Sequence, residues 1–242
     1  MKKIIVPLVI VIFFTACKEK PEKRTAPAES VKEATETIRD TVTEKPEKEA
    51  GPALLSLDGV EDTAFVRLRD YSRDFVYDMK YATEDNFLKT KVYDCAECYV
   101  RAQTAKALIA ANRDLMEQGY RIKFFDCYRP HDVQKKMWEI VPNPQYVANP
   151  AKGSIHNKGG AVDITLVDTD GNALDMGTGF DFFGKEAHHD YTGLPDEVLA
   201  NRRLLKETME KHGFWSIRTE WWHYNLTSAS NGKVANFRWE CE

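Results

Sequence analysis

Ser154-Ile155-His156-Asn157-Lys158-Gly159-Gly160-Ala161-Val162-Asp163-Ile164-Thr165-Leu166-Val167 is the stretch on which the reading of this chain turns. Gly160–Val167 reads as a strand, apolar and rich in β-branched residues. The glycine pair in front of it lets the backbone turn tightly or approach another group closely. Asp163 interrupts the apolar run between Val162 and Ile164. A carboxylate in that setting is costly unless it is paired or holds a metal. His156 stands just upstream, across the glycine pair.

Working outward, Asp168-Thr169-Asp170-Gly171-Asn172 reads as a turn. Asp196–His212 reads as a helix with Val198, Arg202, Leu205 and Met209 on one stripe and Gly213 beyond its end. Trp221–Leu226 reads as a final strand. Upstream, Arg101–Gln118 has helical spacing, with Ala105, Leu108, Ala111, Leu115 and Met116 on one face and Gly119 ending it. Tyr120–Phe125 alternates as a strand, and His131–Val141 is a short helix stopped by Pro142. The elements do not alternate as regular βαβ units, so an α+β fold is expected.

Two further segments carry chemistry. In Glu220-Trp221-Trp222-His223-Tyr224 an acid and an imidazole stand three apart among aromatics that lower the local dielectric. On a regular strand such positions face opposite sides. Both reach one site only if the chain bends or Glu220 precedes the strand. In Asp126-Cys127-Tyr128-Arg129-Pro130, Pro130 keeps Arg129 out of the helical region and presents it from a strand-end turn. A guanidinium there can bind a carboxylate or an oxyanion. Two His and one Asp (His156, His223 and Asp163) beside a Glu fit a catalytic zinc site with three protein ligands and an open position. Of the other histidines, His212 sits in a last helical turn, where a cation favours the helix dipole. His131 reads as local to a helix start, and His188 and His189 lie in a polar loop that the sequence does not place.

The chain has 242 residues, a formal net charge of −4 and 43% apolar residues. A pI near 5.9 gives no basic stripe for nucleic acid, and a mean hydropathy of −0.51 excludes a polytopic membrane protein. Five cysteines are too sparse for a disulfide scaffold. Residues 1–16 differ from the rest: Lys2 and Lys3, then an apolar run from Ile4 to Phe14, then Thr15 and Ala16 before Cys17. The run is short for a membrane span and reads as a signal peptide of the bacterial lipoprotein type, with Cys17 as the lipidated residue. Residues 17–50 read as the lipidated Cys and a charged, disordered tether, because only Val31, Ile38 and Val42 are large apolar residues there. Residues 51–242 then form the catalytic domain. No internal repeat is present.

The three chemical segments, in this order, resemble those of the zinc-dependent D-alanyl-D-alanine dipeptidases, the VanX-like enzymes. Zinc D,D-carboxypeptidases and the Hedgehog signalling domain are relatives of that family. The similarity runs from about Tyr77 to Leu226 and includes Met79-Lys80-Tyr81-Ala82-Thr83-Glu84-Asp85-Asn86-Phe87 and Met176-Gly177-Thr178-Gly179-Phe180-Asp181. The resemblance implies a central, mainly antiparallel sheet with packed helices. It implies one Zn(2+) per chain on His156, Asp163 and His223, Glu220 as general base, and Arg129 as stabiliser of the tetrahedral intermediate. It implies that Ser154 and Asp181 hold the free amine of a small dipeptide, which explains a preference for free dipeptide over longer stems.

The leader and tether depart from the resistance enzymes of that family, which look cytoplasmic. The expectation is a membrane-anchored envelope lipoprotein, periplasmic or surface-facing, acting in salvage or wall turnover. No nucleic-acid or protein partner is evident. A D,D-carboxypeptidase that trims peptidoglycan stems is the alternative enzyme. A non-catalytic, zinc-stabilised binding module is the alternative of another class, disfavoured because Glu220 and Arg129 both stand in their motifs. Cys95 and Cys98 form C-x-x-C without a second pair for structural zinc, which leaves a disulfide or two free thiols. Cys127 is expected buried and Cys241 exposed.

Overall fold

The computed structural model of the chain describes residues 53–241. The expected leader 1–16, Cys17 and tether 17–50 lie outside the described residues.

The α+β expectation holds. The described strands and helices are β1 Phe65–Arg67, β2 Val76–Tyr77, β3 Tyr99–Arg101, α1 Ala102–Met116, β4 Arg121–Asp126, α2 His131–Ile140, β5 Ala161–Val167, α3 Asp196–Lys211, β6 Phe214–Ser216 and β7 His223–Leu226. The main sheet has the order β2-β4-β5-β7-β6, and β1 pairs with β3 in a separate ribbon. β4, β5, β7 and β6 pair antiparallel, whereas β2 lies parallel to β4. The sheet is therefore mixed, with its one parallel pairing at an edge. Every residue of β5 is buried, as befits a central strand covered on both faces.

Strand register sets out the site. Asp163 of β5 is paired with His223 of β7 on one side and with Asp126 of β4 on the other. The β4–β5 register shifts between Phe124 and Asp126, a bulge that re-aims the last residue of β4. Without that extra residue, Asp126 would face the opposite side of the sheet.

The helices follow the apolar stripes. Ala105, Leu108, Ala111 and Leu115 of α1 are fully buried. Met116, expected on the same face, is instead exposed at the helix end. Gly119 and Gly213 follow α1 and α3 with φ of 84° and 85°, a conformation that favours glycine. Val198, Arg202, Leu205 and Met209 of α3 are buried together. Arg202 is there for its donors: Nε donates to the carbonyl of Met176, Nη2 to Glu186 and Nη1 to His188. One guanidinium thereby fixes both ends of the 176–188 loop, which carries Asp181.

The cysteines correct one of the two readings. Cys95 and Cys98 do not pair with each other; Cys95 bridges to Cys241, and Cys98 to Cys127. Cys98 is buried beside the end of β4, while Cys95 faces the C-terminal segment. The bridges span 146 and 29 residues. Each is expected to contribute about 2–5 kcal/mol, the longer span more. Reduction should therefore lower the urea midpoint markedly. An unchanged midpoint under reductant would show that the bridges hold nothing the fold needs.

Candidate active site

The two motif segments flanking the site are joined by one backbone bond and one side-chain bond. The Arg129 N–H donates to the His156 carbonyl (3.1 Å), and Asn157 Nδ2 returns a bond to the Arg129 carbonyl (2.8 Å). His156 opens a 3₁₀ turn, His156–Lys158, closed by Gly159 at φ 73°. A Cβ on Gly160 would lie 2.6 Å from that of Ala229, so the second glycine is required by close packing, as its sequence suggested.

Three donor atoms converge. His156 Nε2 lies 3.2 Å from His223 Nδ1, which lies 2.9 Å from Asp163 Oδ1, and Asp163 Oδ2 is 3.4 Å from His156 Nε2. A tetrahedral ion with bonds of about 2.0–2.1 Å has ligand atoms about 3.3 Å apart, so the spacing suits zinc. The tautomers suit it as well. His156 Nδ1 donates to the Cys127 carbonyl at 2.7 Å, and His223 Nε2 donates to Asn225 Oδ1 at 3.0 Å. Each ring thus turns its lone pair inward, as metal-ligating histidines do. These are the metal-ligand candidates found among the described residues. With no metal bound, burial raises the Asp163 carboxyl, but protonated imidazoles at His156 and His223 outweigh it and hold the group below the usual carboxylate range.

Glu220 meets the geometric demand by preceding β7, in the turn between β6 and β7. Its Oε2 lies 3.9 Å from His223 Nδ1, close to the donor cluster yet outside hydrogen-bond reach. Burial raises its carboxyl above the usual range. Arg129 is buried, with Nε and Nη2 both donating to Asp126 Oδ2 (3.0 and 2.6 Å) and Nη1 to Gln134 Oε1 (3.0 Å). Its guanidinium lies over the Tyr81 ring, and Nη2 is 3.9 Å from Asp163 Oδ2.

Asp181 sits at φ 59°, a conformation tolerated by Asp more than by most residues. Both its oxygens accept from the Tyr81 hydroxyl at 3.1 Å. Burial first, then the Asp163 charge, pushes its carboxyl well above the usual range despite Tyr81 and Arg129. A half-buried acid with so little cationic company is suited to a ligand ammonium. The Ser154 hydroxyl accepts from the His156 N–H at 3.3 Å. Ser154, His156, Asp163, Asp181, Glu220, His223 and Arg129 all line one cavity of about 650 Å³.

Four groups have roles in the site that the sequence did not assign them. Asp126 and Gln134 hold Arg129, Tyr81 holds Asp181, and Asn225 orients His223. Only Asp126 had a visible signal, an acid three residues before the arginine at the end of an apolar strand. His188 lines the cavity. His189 does not, and burial lowers its pKa to about 4. His212 contacts Asp114 at 2.7 Å, away from the site.

Two imidazoles and a carboxylate that converge, a half-buried glutamate beside them and a guanidinium facing the same cavity define a metallopeptidase centre. Residues 61–239 match the D-Ala-D-Ala dipeptidase family of peptidases, and the chain belongs to that family. A D-alanyl-D-alanine dipeptidase of Escherichia coli (strain K12) is 34% identical over 75% of this chain and 94% of its own length. One from Enterococcus faecalis is 30% identical over 68% of this chain and 92% of its own, and one from Enterococcus faecium is 32% identical over 62% and 85%.

Proposed function

We propose that this chain hydrolyses the free dipeptide D-Ala-D-Ala to two D-alanines, with zinc on His156, Asp163 and His223. The convergence of those donors with Glu220, Arg129 and Asp181 in one cavity carries the proposal, and the names of the relatives support it. Zinc bound there supplies Lewis acidity and brings the pKa of water down to about 7.

The chain's own groups do the rest. Glu220 accepts the proton of the attacking water and passes it to the leaving amine. Arg129 has five N–H donors, of which three are engaged with Asp126 and Gln134. The remaining two donate to the oxygen on which charge develops, and their fixed position means little reorganisation at that moment. Asp181, with Ser154, receives the substrate's ammonium. A longer stem has no ammonium at that position and leaves Asp181 without a counter-charge.

Measuring D-alanine release from D-Ala-D-Ala, N-acetyl-D-Ala-D-Ala and a stem pentapeptide tests this. The free dipeptide should be preferred by at least about 100-fold, and a zinc chelator should abolish release. Comparable rates on the acylated peptide would refute amine recognition.

An envelope location, with Cys17 lipidated after removal of residues 1–16, is part of the same proposal. The two disulfides support it, because such bridges persist in oxidising compartments. An enzyme there cannot intercept a cytoplasmic dipeptide pool, which favours salvage or wall turnover over antibiotic resistance.

A further inference from the structure

A zwitterionic dipeptide needs a receptor for its carboxylate as well as its ammonium. The cationic or imidazole side chains lining the cavity are Arg129, His156, His188, Arg218 and His223. His156 and His223 turn their lone pairs to the donor cluster, and Arg129 faces Asp163 from its bonds to Asp126 and Gln134. Arg218 and His188 are left without a part in the chemistry.

Their placement follows from that chemistry. Glu220 hands its proton to the leaving amine, and one carbon separates that nitrogen from the terminal carboxylate. The carboxylate therefore lies near Glu220, and Arg218 is two residues before Glu220 on the same β6–β7 connection. The connection is braced: the His189 N–H donates to the Arg218 carbonyl at 2.8 Å, and Arg218 Nη1 donates to His188 Nδ1 at 2.9 Å. The acidic neighbour of Arg218 is Asp190 at 3.5 Å, with both side chains about three-fifths exposed (61% and 62%). Such an exposed pair is weak and yields to a ligand carboxylate.

We infer that Arg218, oriented by His188, is the receptor for the substrate's terminal carboxylate. This rests on the dipeptidase reading above. It makes the site selective at both ends of its ligand, with Asp181 for the amine and Arg218 for the acid.

The test compares D-Ala-D-Ala with D-alanyl-D-alaninamide, which lacks the terminal charge, on the zinc-loaded full chain and its Arg218→Gln and Arg218→Lys variants. Arg218→Gln should raise KM for the acid about tenfold, with kcat within about twofold, and leave KM for the amide unchanged. Arg218→Lys should fall between, since it keeps the charge and loses the fork. An equal change on both substrates, or no change on either, overturns the assignment. Failure of the unaltered chain to hydrolyse D-Ala-D-Ala is a different result, which overturns the dipeptidase reading and this inference with it.

Discussion

Glu220→Gln is expected to keep its zinc and lose turnover by about 10²–10⁴-fold. Glutamine fills the same space but takes no proton from water. The metal should stay because the converging donors are His156, Asp163 and His223, while Glu220 Oε2 stands 3.9 Å from His223 Nδ1. Folding should not suffer either. Burial raises the Glu220 carboxyl, so the folded chain holds that proton more tightly than the unfolded chain does. An acid shifted upward subtracts stability as pH rises from the unfolded value of about 4.3 toward its folded value. In the metal-free chain, removing the charge relieves that penalty, and the Tm at neutral pH should be equal or higher. Metal analysis and D-alanine release on the zinc-loaded variant, with a thermal scan of its metal-free form, check all three parts. Wild-type turnover in this variant would sink the mechanism.

The convergence of the candidate site was more legible in the sequence than the framework that orients it. His156, Asp163 and His223 are distinctive because polar groups in apolar or glycine-rich settings demand a reason. The long helices were legible too, since α1 and α3 carry clear apolar stripes ended by Gly119 and Gly213. β1, β2, β3 and β6 have two or three residues each, too few for alternation to show. The bulge at Phe124–Asp126 is a matter of register between distant strands and leaves no local pattern. The partners of Arg129, Asp181 and His223 are ordinary polar residues whose roles exist only once the chain is folded. Cys95 and Cys98 misled for the same reason: their neighbours in space are Cys241 and Cys127 rather than each other.

Arg129 should show two large effects that one added substitution can separate. Asp126 is fully buried; its Oδ1 accepts from the Tyr93 hydroxyl (2.6 Å) and the Cys127 N–H (2.9 Å), and its Oδ2 takes two bonds from Arg129. Arg129→Met leaves that carboxylate buried without its counter-charge, at a cost of about 3–5 kcal/mol in stability. It also removes the donors to the developing oxyanion, which should lower kcat by about 10²–10³-fold. Adding Asp126→Asn removes the stranded charge while an amide oxygen still serves Tyr93 and Cys127. Stability should then return in large part, because contacting residues are not additive, whereas kcat should stay low. A urea midpoint and a kcat for each single variant and the double variant complete the comparison. If turnover returned with stability, Arg129 would be only the counter-ion of Asp126. If stability alone returns, the same guanidinium both neutralises a buried carboxylate and stabilises the transition state. The buried pair with Asp126 then has a catalytic reason: it holds the guanidinium still, so that its two free N–H groups already face the cavity before the substrate arrives.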